Sequence, residues 1–333
     1  MTIRHILALL DSHANGDEER LLSIALSIAA TEARAGHAED ANALKKAVQR
    51  VRDARLGAGP MAATPIPMAR PRGELQSIVE SSYPKTRLSS MVLAPVTADK
   101  LSRVVRQQEA RATLREHGQT PATHLLLIGP PGTGKTMTSA ALAAELRLPL
   151  FAIKMESVFS RYMGETAGKL RLVFDQVASV RGVYLLDEFD AVGARRGDPN
   201  DVGEMRRILN SVLSFMEESN STDSLVVAAT NHVGVLDHAL ARRFDEVVEY
   251  SLPTADEGVA ILKTRLSKFK VAAKALKGLR DDLGGLSQGE IVRAADSAVR
   301  EAILDGHTDI SADHLAAMLR DRKAFRDRFH SAY

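Results

Sequence analysis

Residues 125–136 read LLLIGPPGTGKT, an apolar run that stops at a glycine-rich loop and is followed by a lysine and a threonine. Gly129, Gly134, Lys135 and Thr136 satisfy the spacing G-x-x-x-x-G-K-[ST]. Glycines let the backbone turn back so that successive N–H groups point inward at phosphate oxygens. A helix opening at Lys135 adds unpaired N–H donors and the positive end of its dipole. Lys135 then reaches the outer phosphates, and the Thr136 hydroxyl is placed to bind Mg2+. The nucleotide-contacting run is Pro130, Pro131, Gly132, Thr133, Gly134, Lys135, Thr136 and Met137. The bland alternative is a glycine turn with a surface lysine, but a strand before and a helix after are the context a phosphate loop needs.

Three further stretches offer partners for that loop. VYLLDEFD (183–190) puts Asp187 at the end of a buried strand, where it would hold Mg2+ through water, and Glu188 next to it. Glu188 would orient and deprotonate an attacking water. LVVAATN (225–231) ends another strand on Asn231, whose amide can position that water and sense a γ-phosphate. LDHALARRFD (236–245) offers Arg242 and Arg243, and phosphate hydrolysis needs a cation for its transition-state charge. Taken singly these are an acidic turn, an Asn turn and a basic helix end; their order behind a phosphate loop is what joins them.

The elements that must position these residues follow from periodicity. Short apolar runs at 124–128, 150–154, 183–187, 225–229 and 246–250 alternate with helix-length segments. That pattern predicts an α/β fold with a parallel sheet covered on both faces. Residues 255–333 carry only a helical signal, with Ser311 as an N-cap, and read as a helical lid. Residues 97–117 are helical, and 74–96 assign to no element. Residues 1–56 read as a small all-α module. Leu21, Leu22, Ile24, Ala25, Ile28 and Ala29 form one stripe, and Ala41, Leu44, Ala47, Val48 and Val51 a second. Between them and the rest, residues 57–73 hold four prolines and three glycines and read as a linker. The large α/β part then spans 74–254.

Composition narrows the partners. Lys and Arg total 44 against 42 Asp and Glu, so no strong field steers the 333-residue chain to nucleic acid or membrane. With no cysteine, disulfides and thiolate metal sites are excluded and a reducing cytoplasm fits. The N-terminal apolar run is too short for a signal peptide, and no stretch approaches the roughly 20 apolar residues of a membrane span.

GPPGTGKT, LLDEFD, ATN and LDHALARRFD, in that order, resemble the AAA family of ring-forming ATPases within the P-loop NTPase AAA+ superfamily. The resemblance covers roughly residues 90–330 and implies ATP hydrolysis with Mg2+, a five-stranded sheet, a helical lid and a homo-hexamer with nucleotide at the subunit interface. It also implies that Arg242 and Arg243 act as arginine fingers on the neighbouring subunit's ATP. GGLSQGEI (284–291) is similar to the family's G-x-S-G-A-D-I, which brings Gly289 to the nucleotide from the lid; Gln288 and Glu290 depart from that pattern. SRYMGET (160–166) resembles the family's pore loop, which grips polypeptide, and makes Tyr162 and Met163 substrate-binding residues. A polar stretch at 194–204 could form a second pore loop. The helical start and overall size resemble small bacterial members that work beside a subtilisin-like protease, which implies a partner protease reached through the N-terminal module. The expected work is protein remodelling, unfolding or threading. The rivals are an ATP-dependent scaffold or switch that assembles a partner enzyme, and a nucleic-acid motor, which the near-neutral charge opposes.

Overall fold

The structure, a computed structural model, describes residues 71, 73–158, 165–189, 211–212, 214–218, 220–231, 241–271, 273–307 and 309–330, and seven residues before position 49. The chain divides into two compact units, Met1–Ile66 and Pro67–Tyr333. In the first, Ile28, Ala29, Ala41 and Val48 are helical and buried, all four from the two apolar stripes.

The second unit is built on a mostly parallel sheet. Its strands are β1 (Val79–Ser82), β2 (His124–Ile128), β3 (Leu150–Ile153), β4 (Val183–Leu186), β5 (Leu225–Thr230) and β6 (Glu246–Glu249), ordered β1-β3-β4-β5-β2-β6. The five apolar runs are the five parallel strands. The expected five-stranded sheet is corrected by a sixth strand: β1 pairs antiparallel with β3, and its VESS sequence lacks the apolar content of a buried strand because it sits at the sheet edge.

Strand periodicity divides the core in two. Leu125, Leu127, Val183, Leu185, Leu225, Val227 and Ala229 face one layer. Leu126, Ile128, Tyr184, Leu186, Val226 and Ala228 face the other. The first layer is covered by helices α1 (Pro95–Glu109) and α2 (Lys135–Leu146), through Leu101, Val104, Leu142 and Ala143. The second is covered by α3 (Glu165–Ser179), through Leu170, Val173, Phe174 and Val177. Phe151 and Tyr184 stack there with ring centroids 4.7 Å apart, and the Tyr184 hydroxyl donates to the Val180 carbonyl at 2.7 Å.

The lid contains α4 (Ala255–Arg265), α5 (Gln288–Leu304) and α6 (Ala312–His330) around its own core of Leu262, Leu283, Leu286, Ile291, Ala295 and Leu315. Thr254 and Ser287 each complete a reciprocal capping box, with Glu257 and Glu290 respectively. Ser311 caps α6, its hydroxyl accepting from the His314 N–H at 3.2 Å. Among the described residues no helix is long and apolar enough to cross a membrane.

Candidate active site

The three strands β4, β5 and β2 are neighbours and parallel, so the residues that follow them meet at one sheet edge. Asp187 follows β4, Asn231 follows β5, and the glycine-rich loop follows β2. That edge is where open α/β sheets bind ligands.

The loop's shape rests on its glycines. Gly132 and Gly134 take φ values of +76° and +95°, the left-handed region that side chains resist. At Gly129 a Cβ would stand 2.3 Å from the Tyr250 carbonyl oxygen, so only hydrogen fits. Gly134 is the N-cap of the twelve-residue α2, whose first-turn N–H groups open toward the loop. Below it the Thr138 and Tyr250 hydroxyls share a hydrogen bond of 2.6 Å. Burial pushes the Tyr250 phenol up to about 12, which keeps it neutral under the loop.

Lys135 is buried, and its Nζ donates to the Gly129 carbonyl at 2.7 Å, the Pro130 carbonyl at 2.8 Å and Asn231 Oδ1 at 2.8 Å. An ammonium held out of water among such dipoles stands ready for an anion. The Thr136 hydroxyl donates to Asp187 Oδ2 at 2.7 Å. A hydroxyl and a carboxylate in contact are hard oxygen donors suited to Mg2+ that keeps water and phosphate oxygens as its remaining ligands. Asp187 Oδ1 accepts from the Glu188 N–H at 2.9 Å. Glu188 has φ +51°, an unusual left-handed position for a glutamate, and is exposed to the cleft. Such a residue costs on the order of 1–3 kcal/mol, and strain of this kind gathers at functional sites.

The lid meets the loop directly: the Gly289 N–H donates to the Gly132 carbonyl at 2.8 Å. A Cβ on Gly132 would stand 2.7 Å from Ser287 Oγ, so the two close together without side chains between them. Glu290, a departure from the family pattern, carries the capping box, with Oε2 accepting from the Ser287 N–H at 2.7 Å.

A cleft of about 1150 Å³ opens between loop and lid. It is lined by Pro131, Gly132, Gly134, Lys135, Thr136 and Met137, and by Asp187, Glu188, Asn231 and Gly289. Its far wall went unread in the sequence. Residues 85–87 and 89–92, inside the stretch that assigned to no element, line it as a strap, and Ile261, Phe269, Val292 and Val299 add an apolar surface from the lid. These residues carry no motif; only the folded chain brings them beside the phosphate loop as an apolar wall.

The arginine pair is not brought to this cleft. Arg242 and Arg243 stand a few residues before β6, whose Glu246 pairs with Leu125 near the start of β2, so they lie toward the opposite sheet edge from the loop. Along β2 that separation is roughly 15 Å, at about 3.3 Å per residue. Arg243 pairs with Glu217; Arg242 is exposed, with no ion pair among the described residues. Asp245 ties this turn to β2, its Oδ2 accepting from the Thr123 and His124 N–H groups at 2.8 and 2.9 Å. Tyr162, Met163 and the stretch 194–204 lie outside the described residues.

A mostly parallel sheet whose neighbouring strand ends carry a phosphate loop and an Asp-Glu pair, closed by a helical lid, defines a class of nucleoside triphosphatases. Residues 125–252 match the family model "ATPase family associated with various cellular activities (AAA)". The chain is 34% identical over 245 residues to an uncharacterized AAA family ATPase of Sinorhizobium fredii, covering 73% of each. It is 32% identical to the ATP-dependent zinc metalloprotease FtsH 3 of Sphaerobacter thermophilus, over 72% of this chain and 50% of that protein. It is 31% identical to the proteasome-activating nucleotidase of Saccharolobus solfataricus, over 65% of this chain and 57% of that protein. The chain thus spans only about half the length of the latter two. It belongs to the AAA family of ATPases and is an ATP hydrolase.

Proposed function

We propose that this ATPase works as a ring of identical subunits that uses ATP hydrolysis to remodel or thread a polypeptide. The observation that carries the reading is the placement of Arg242 and Arg243 at the sheet edge away from their own phosphate loop. If a cation is to stabilise the transition state from that turn, it must do so in a second copy of the chain. The names of two relatives, an ATP-dependent metalloprotease and a proteasome-activating nucleotidase, join ATP to protein degradation and support a polypeptide as the substrate. The sequence contains no His-Glu pair, so the H-E-x-x-H zinc motif is not part of this chain.

Within the site, Lys135 gives up its carbonyl partners for β- and γ-phosphate oxygens. Thr136 and Asp187 hold Mg2+, which supplies charge neutralisation for the phosphate oxygens. Glu188 accepts the proton of the attacking water. Asn231, bonded to Lys135 through Oδ1, positions that water and senses the γ-phosphate. Gly289 carries the phosphate loop's state to the lid through its bond to Gly132.

Tyr162 and Met163 fall in sequence between β3 and α3, and we assign them the grip on substrate. The test starts with substrate captured on the Glu188→Gln protein with ATP and identified by mass spectrometry. Tyr162→Ala is expected to keep ATP turnover within a few-fold while unfolding of that substrate stops. Normal unfolding by a variant with normal melting and turnover would reject threading and leave the scaffold or switch reading in its place.

A further inference from the structure

Gln288 opens α5 directly after its Ser287 cap. Its side chain reaches across the cleft mouth rather than lying along its own helix. Nε2 donates to the Val92 carbonyl at 3.1 Å, and Oε1 stands 3.2 Å from where a Cβ on Gly134 would lie. One lid amide therefore bonds the strap and stands beside the phosphate loop.

The strap is shared between two cores. Leu88 and Leu93 pack into the sheet-side layer, while Val92 packs into the lid core. Its near end is anchored to α2: Glu145 accepts from Arg87 Nη1 at 2.9 Å and from the Leu88 N–H at 3.1 Å. The strap is thus fixed on the large subdomain and meets the lid through the Val92 side chain and the Gln288 amide. Met91, Val92, Gly134 and Gln288 all line the cleft, so a nucleotide leaving between strap and lid passes this bond.

We infer that Gln288 is a positioning residue that latches the strap to the lid and sets the rate at which nucleotide leaves the site. This rests on the reading of the cleft as the ATP site. A side-chain amide suits such a latch, because it bonds a backbone carbonyl without bringing a charge near phosphates. A single neutral hydrogen bond also opens often enough to allow turnover. Hydrolysis chemistry is left to Glu188 and Lys135, so the latch governs exchange and not bond cleavage.

The experiment uses the full chain with Mg2+ and N-methylanthraniloyl-ADP, chased with excess unlabelled ADP in a stopped-flow fluorimeter. Gln288→Met keeps the side chain's length and loses its donors; Gln288→Ala loses both. Each is expected to release the labelled ADP about fivefold faster than wild type, the factor for one net hydrogen bond, with melting of the nucleotide-free protein unchanged. Release at the wild-type rate from the Met variant overturns the latch. So does faster release that appears only together with a lowered melting temperature, since that is a loosened lid. Wild-type protein that fails to bind the labelled ADP overturns the site itself, and the latch with it.

Discussion

At the scale of single residues, the site separates binding from chemistry. Lys135 is buried and bonded to two loop carbonyls and Asn231, and in the proposed mechanism its charge is held where phosphate oxygens arrive. Glu188 is exposed at the cleft and held by its backbone to Asp187. Lys135→Ala is therefore expected to abolish ATP binding in an equilibrium titration. Glu188→Gln is expected to bind ATP as wild type does and to lose hydrolysis, because the amide keeps the shape and cannot accept the water's proton. Equal loss of binding in both variants would sink the role given to Glu188. Asp187 and Thr136 were legible as a pair because each follows a recognisable local signal, the end of an apolar strand and the last position of the loop motif.

At the scale of elements, β2 carries the phosphate loop at one end and a partly buried histidine at the other. His124 begins the strand, and burial lowers its pKa while the nearby Asp245 carboxylate opposes that shift. The folded protein therefore binds a proton less readily than the unfolded chain, whose histidine titrates near its ordinary 6.5. Stability is complete above that value and is lost as pH falls below it toward the folded pKa. The melting temperature is expected to fall between pH 7.5 and pH 5, and His124→Gln, which cannot titrate, is expected to flatten that fall. An unchanged slope in the variant would assign the loss to other groups. The same strand fastens the turn that follows the arginines, since Asp245 accepts from the Thr123 and His124 N–H groups.

At the scale of the whole molecule, the separation of the arginines from the loop decides whether one subunit can work alone. If Arg242 and Arg243 act across an interface, a subunit lacking both and a subunit carrying Lys135→Ala complement each other. Mixed assemblies then contain interfaces with one intact loop and one intact arginine turn. Fingers supply on the order of 10³–10⁵ in rate, so partial recovery of ATPase activity on mixing is expected to be plain in a coupled assay. No recovery, in assemblies shown by mass spectrometry to be mixed, argues for a structural role. Arg243 pairs with Glu217, whereas Arg242 is already directed to solvent, so Arg242 is the better placed of the two to reach a neighbour. Single-arginine variants in the same mixing assay separate them.

The sequence alone determined what depends on neighbours along the chain. Five strands, the phosphate loop, the Asp187–Glu188 pair and the Ser311 cap of the last lid helix were all legible, because strand periodicity, glycine dihedrals and capping are local properties. Tertiary structure decided what depends on distant pairing. It placed β4, β5 and β2 side by side, which is why Asp187, Asn231 and Lys135 converge although they lie far apart in sequence. It added β1, whose Val79, Glu80, Ser81 and Ser82 become a strand only by pairing with β3. It turned residues 85–92, without periodicity of their own, into a wall shared by two cores, and it brought the Gln288 amide 196 positions along the chain to the Val92 carbonyl. Such contacts leave no local trace, since their stabilisation comes from surfaces that only the folded chain brings together.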